Sequence, residues 1–176
     1  MNAVIFSDND SKTEVSENLE AGLVRVLSED GHQVRSVELE KDHVAPCIGC
    51  FLCATKHRGE CVTKDAVDDI RRDVRKLGLT VFVTPVVFGH FSSTVKNAVD
   101  RGTGSHHWQV VIGYGSDMDD EEKSTFIDLT AKHRGSADIV HPGMDTKVDV
   151  YVAQSLEESA AICERLKSDL EGGWQE

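Results

Sequence analysis

Four of the five cysteines in this chain, Cys47, Cys50, Cys53 and Cys61, fall within 15 residues. Three thiols at three-residue intervals, followed by a fourth after a loop containing Gly59, have the spacing of a chain wrapped round one cube of metal. Thiolates in such a compact triplet hold [4Fe-4S] clusters in ferredoxin segments, and Pro46 and Gly49 would let the backbone turn tightly between them. Structural zinc is less natural, because it usually takes two well-separated pairs. The plain alternatives stay open: reduced thiols acting as small hydrophobes, or two of them forming a redox-active disulfide.

Two loops offer chemistry of another kind. Ser7-Asp8-Asn9-Asp10-Ser11-Lys12-Thr13 lies between an apolar run and an amphipathic helix, where backbone N–H groups and helix polarity favour an anion such as a phosphate. Hydroxyls of Ser7, Ser11 and Thr13 would add hydrogen bonds, while Asp8, Asp10 and Glu14 oppose a phosphate and Lys12 alone compensates. The same residues also read as a helix cap whose acids complement the dipole. Thr84 to Ser93 follows the most apolar run, and a planar ring could lie along it. Pro85 stops the strand, Gly89 permits close approach, and Phe88 or Phe91 would pack on the ring or enter the core.

Other candidates carry less. His90 reads as a loop histidine, Asp100-Arg101 as a helix-end ion pair or part of the flanking site, and adjacent His106-His107 would point to opposite faces of a strand. Asp117 to Glu122 read as an acidic helix start, and Trp174 as an edge or partner contact.

The elements that must position these groups alternate. Ala3–Phe6 reads as a strand, Val15 to Leu27 as a helix closed by Gly31, and Gln33–Leu39 as a second strand. Asp65–Leu77 reads as a helix, Leu79–Pro85 as a buried strand and Ser92–Arg101 as a short helix. Trp108–Ile112 reads as a strand and Glu121–His133 as a helix. Ile139-Val140 and Val148–Val152 read as short strands, and Leu156–Leu170 as a last helix. Runs such as VFVTPVV are apolar on both faces, as a parallel sheet covered on both sides requires. About five βα units imply one three-layer, doubly wound α/β domain over residues 1–176, with ligands collecting beyond the carboxyl ends of the strands.

Composition narrows the partners. With 19 basic against 31 acidic residues the formal charge is −12, which repels nucleic acid. No run of about 20 apolar residues offers a membrane span. The first residues, MNAVIFSDND, lack a secretory signal pattern, so a cytoplasmic location is expected.

Taken in order, these motifs resemble the flavodoxin-like NAD(P)H-dependent FMN reductase superfamily, and within it the iron-sulfur flavoprotein branch. Pro46 to Cys53, followed by Gly59-Glu60-Cys61-Val62-Thr63-Lys64-Asp65, is similar to that branch's cysteine block. Thr84 to Ser93 with Lys96 and Asp100-Arg101 is similar to its flavin-ring loop and following helix. The resemblance covers residues 1 to 115. It implies a flavodoxin-like five-stranded parallel sheet, an FMN phosphate at Ser7, Ser11 and Thr13, and a flavin ring along Pro85, Val86, Val87, Phe88 and Gly89. A third flavin-side loop is implied at Gly113, Tyr114 and Gly115, with a [4Fe-4S] cluster on Cys47, Cys50, Cys53 and Cys61. It further implies flavin-centred electron transfer needing no side-chain acid or base, with NAD(P)H or another donor, a small-molecule or protein acceptor, and a homodimer or homotetramer. The competing expectation keeps the fold without flavin, as a thiol or metal-binding regulatory module.

Overall fold

Alternate side chains of β1 (Asn2–Asp8) enter two different cores, Ala3 and Ile5 on one face and Val4 and Phe6 on the other. In β3 (Leu79–Val87), Leu79, Val81 and Val83 oppose Phe82. In β5 (Trp108–Tyr114), Trp108, Val110, Ile112 and Tyr114 oppose Val111. Strands apolar on both faces must be covered on both, and the computed structural model shows how. It describes residues 2–53, 55–57, 60–68, 70, 78–102, 108–132 and 146–172.

β1, β2 (Gln33–Leu39), β3, β5 and β6 (Lys147–Ala153) form a parallel sheet in the order β2-β1-β3-β5-β6. This is the expected five-stranded doubly wound arrangement, with one addition. A short β4 (His90–Phe91) folds back antiparallel on the end of β3. One face is covered by α1 (Glu14–Glu29) and α4 (Leu156–Glu171). The other is covered by α2 (Ser93–Asp100), by α3 (Asp120–Lys132), and by Val44, Val67 and Ile70. Phe6 stacks on Phe82 at 5.4 Å between ring centroids within this second core.

Of the predicted helix 65–77, residues 66–68 and 70 are helical and Asp65 lies just before them, while 69 and 71–77 lie outside the described residues. His106-His107, Ile139-Val140 and Trp174 lie outside them as well. Among the described residues no helix is long and apolar enough to cross a membrane.

One consequence of the topology sets the site. The chain leaves β1 into α1 on one face and leaves β3 toward α2 on the other, although β1 and β3 are neighbours with Ser7 opposite Val83. The connections diverge, so a crevice opens at their carboxyl ends. Residues 9–13, 88–92 and 115–119 all emerge there.

Candidate functional site

The first loop is built by short-range hydrogen bonding. Asp8, 1% exposed, accepts the Ser11 amide at 3.0 Å. Thr13 caps α1: its Oγ1 accepts the Ser16 amide at 3.3 Å, and its own amide donates to Ser16 Oγ at 2.9 Å. Asn9 donates its amide to Leu39 O at 2.9 Å and its side-chain N–H to Glu40 Oε1 at 2.9 Å, tying the loop to the end of β2. Lys12 Nζ lies 2.5 Å from Glu38 Oε1, and that hydrogen bond raises its pKa. Of the three hydroxyls expected at a phosphate, Thr13's serves the cap and Ser11 stands exposed. Ser7's is buried on the α1 side, turned to Glu20 without closing a hydrogen bond. Burial pushes the Glu20 carboxyl up, against the pull of Lys12.

The second loop is a tight hairpin. Phe88 and Gly89 connect β3 to β4 with φ of 50° and 69°, the left-handed pair that a two-residue hairpin of matching twist demands. Glycine adopts this freely, whereas a bulky aromatic does so under strain. Phe88 is nonetheless 94% exposed, beside half-exposed Val87, with Pro85 and Val86 partly covered beneath. A strained aromatic left this exposed is not explained by packing in the core. Phe91, the other aromatic in question, enters the core edge-on to Phe126 at 5.9 Å. The Gly89 amide donates to Glu122 Oε1 at 3.1 Å, so the acidic start of α3 anchors this hairpin as well as meeting its own helix dipole.

The third expected loop begins later than its sequence suggests. Gly113 and Tyr114 are buried residues of β5, and only Gly115 belongs to the turn. A glycine is needed at 113 because a Cβ there would lie 2.6 Å from Val86 Cγ2 and 2.7 Å from Phe126 Cε1. Tyr114 runs under α1, and its hydroxyl donates to Ser11 O at 2.9 Å. Burial raises its phenol well above the ordinary value, so it stays a donor. Asp10 completes the crevice, accepting the Lys41 amide at 2.7 Å and the Thr94 hydroxyl at 3.2 Å.

The cysteine segment is clamped at both ends by two acids. Asp65 accepts the Ala45 amide at 3.1 Å, and Asp68 accepts the Cys61 amide at 3.2 Å. Arg101, whose side chain is fully buried, pairs with Asp65 and donates to Thr63 O at 3.0 Å and Ala45 O at 3.4 Å. The helix-end pair Asp100-Arg101 is therefore not formed: Asp100 pairs with Lys96, one helical turn back, because Arg101 turns inward to Asp65. Burial pushes the Cys61 thiol up, but the Thr63 amide and the Arg101 guanidinium outweigh it and hold the thiol below its ordinary value. Cys47 and Cys50 are exposed, Cys53 and Cys61 partly covered, and all are free thiols. Among the described residues no three metal-binding side chains stand close enough to hold an ion, so the four thiols are not gathered.

Asp10, Glu122, Asp65 and Asp68 were not among the expected site residues. Each acts across more than one element, and acids at helix starts give no signal of a distant partner.

Comparison with known proteins agrees with this geometry. An iron-sulfur flavoprotein of Methanocaldococcus jannaschii is 31% identical over 78 residues, 44% of this chain and 39% of that protein. One from Archaeoglobus fulgidus is 30% identical over 104 residues, 58% and 46% of the respective chains. The chain thus spans less than half the length of these relatives. Among solved structures, the NAD(P)H:quinone oxidoreductase of Methanothermobacter marburgensis matches with a TM-score of 0.71 at 16% identity, covering all of this chain and 98% of that one. An FMN-dependent NADH-azoreductase of Bacillus anthracis in complex with FMN matches with a TM-score of 0.62 at 15% identity, covering 97% and 99%. These two establish the flavodoxin-like fold. The family model described as NADPH-dependent FMN reductase matches residues 1–118 of the 176, and the chain belongs to that family.

Proposed function

We propose that this protein is an FMN-dependent oxidoreductase, taking electrons from NAD(P)H or another donor and passing them to a small-molecule acceptor such as a quinone, or to a protein. The observation that carries the reading is the tying together of three loops at the β1/β3 crevice. Tyr114 holds Ser11, Asp10 holds Thr94, and Glu122 holds Gly89, leaving Phe88 and Val87 exposed in a fixed hairpin.

These residues fit a flavin ring better than its phosphate. Strained, exposed Phe88 with Val87, Val86 and Pro85 gives an apolar wall for a planar heterocycle. At Ser7, Ser11 and Thr13 the hydroxyls are turned inward or exposed, and carboxylates surround them. When bound, flavin supplies the capacity to accept an electron pair and release it singly or together. The chain supplies a rigid wall, an anchored hairpin and a crevice mouth, with no acid or base required of it.

A [4Fe-4S] cluster on Cys47, Cys50, Cys53 and Cys61 belongs to the same proposal. It is supported by the donor set, by the Asp65 and Asp68 clamps, and by the bias of Cys61 toward thiolate. The thiols stand apart here, so segment 47–61 must close to gather them. Assembly as a homodimer or homotetramer is part of this reading, supported by the exposed apolar side chains Ile48, Phe51 and Phe88. The acidic first loop favours one alternative, a flavin-free thiol or metal-binding module.

Anaerobic protein mixed with FMN and NADPH tests the main reading. Loss of flavin absorption faster than in protein-free solution is expected, and an unchanged rate contradicts it. Iron and acid-labile sulfide in the anaerobically purified protein test the cluster. Zinc binding or reversible thiol oxidation without FMN binding supports the alternative.

A further inference from the structure

We infer that the phosphate of a bound flavin contributes no net affinity at this site, so that the chain takes riboflavin as readily as FMN. The inference rests on the flavin reading above. It follows from the charge of the first loop, in which the Ser11 amide and Lys12, its one cation, already serve the chain's own carboxylates.

Asp8, buried at the end of β1, holds the Ser11 amide at 3.0 Å. Asp10 takes the Lys41 amide and the Thr94 hydroxyl, placing a carboxylate between the first loop, the segment after β2 and the first turn of α2. Lys12, the single cation from Ser7 to Glu14, is paired with Glu38 at 2.5 Å. The Thr13 and Ser16 amides are held within the capping box. The amides of Lys12, Glu14 and Val15 stay open, and together with the half-charge of the α1 dipole they would attract a phosphate. Against them stand four carboxylates, on Asp8, Asp10, Glu14 and Glu17. A single carboxylate about 7 Å from a phosphate dianion weakens binding roughly sevenfold even at the dielectric constant of water. Four such charges oppose the attraction of the three amides and the helix end. The apolar wall at Val87 and Phe88 is untouched by this balance, since it would meet only the ring.

The specificity-determining residues are Asp8 and Asp10. Asparagine at either position keeps an oxygen for the Ser11 amide, or for the Lys41 amide and the Thr94 hydroxyl, while removing the charge. Titrations of the full chain with FMN and with riboflavin, read by quenching of flavin fluorescence at low salt, test the inference. In the unsubstituted protein FMN binds at most threefold tighter than riboflavin. In the D8N/D10N variant FMN affinity rises by at least about sevenfold, the effect of a single carboxylate, while riboflavin affinity stays within threefold. FMN binding more than threefold tighter in the unsubstituted protein overturns the inference. So does a D8N/D10N variant that gains no selective FMN affinity, with circular dichroism confirming its fold. Failure of both flavins to bind is a different result, which removes the flavin reading itself and the inference with it.

Discussion

Replacing Arg101 by methionine should destabilise the protein by about 3 kcal/mol, near the low end of the ~3–5 kcal/mol typical when one partner of a buried pair is removed. The Arg101 side chain is fully buried and Asp65 is 15% exposed, so the pair lies outside the surface class whose worth is small. Methionine is of similar length and apolar, which keeps a cavity term out of the result. What is lost is the ion pair and the hydrogen bonds to Thr63 O and Ala45 O. What remains to Asp65 is the amides of Ala45, Val67 and Asp68 at 3.1, 3.1 and 3.3 Å, and this compensation sets the low end of the range. For a chain of this size the loss corresponds to a fall of about 6–12 °C in melting temperature. Urea unfolding of R101M, D65N and the double variant measures it. The double variant should cost less than the sum of the singles by ~1–3 kcal/mol, because the two groups touch. Cys61 adds an independent readout: without the guanidinium its thiol returns toward its ordinary value and reacts more slowly with an alkylating reagent near neutral pH. A cost below about 1 kcal/mol for R101M, or strict additivity with D65N, would refute the reasoning.

Acid stability follows from the same pair. Burial raises the Asp65 carboxyl, but Arg101 and the Ala45 amide bring it below the ordinary aspartate value. Its contribution is therefore complete above that ordinary value and is lost as pH falls through the lower, folded one; urea midpoints should decline across that window in the unsubstituted protein and less so in D65N. G113A forces a Cβ to 2.6 Å from Val86 Cγ2 and 2.7 Å from the Phe126 ring, and should cost ~1–3 kcal/mol in urea unfolding, whereas no loss would place those side chains elsewhere. Y114F removes the hydrogen bond to Ser11 O and should cost about 1 kcal/mol in urea unfolding, whereas no loss would place that hydroxyl elsewhere.

The layered sheet was legible because its central strands β1, β3 and β5 are too apolar to have a wet face. Val81, Phe82 and Val83 alternate between two cores, and only a doubly covered strand tolerates that pattern. The hairpin at Phe88-Gly89 was legible as a turn but not as a strained one, since left-handed backbone at phenylalanine is imposed by β3–β4 pairing rather than by local preference. Gly113-Tyr114 looked like a loop because glycine flanks the tyrosine on both sides. In the fold the first glycine is required by the side chains of Val86 and Phe126, and β5 continues through it. The inward turn of Arg101 was hidden for a similar reason. Its partner lies 36 residues away, and a neighbouring aspartate offered a simpler pairing. Long-range polar contacts of this kind depend on topology, which periodicity does not encode.

The most direct test of the oxidoreductase reading is the absorption spectrum of anaerobically purified protein, recorded alone, after FMN and then after NADPH. The account predicts a perturbed flavin spectrum on mixing, followed by protein-dependent bleaching that reverses when a quinone is added. A flavin spectrum identical to that in buffer, bleaching no faster than without protein, would contradict it.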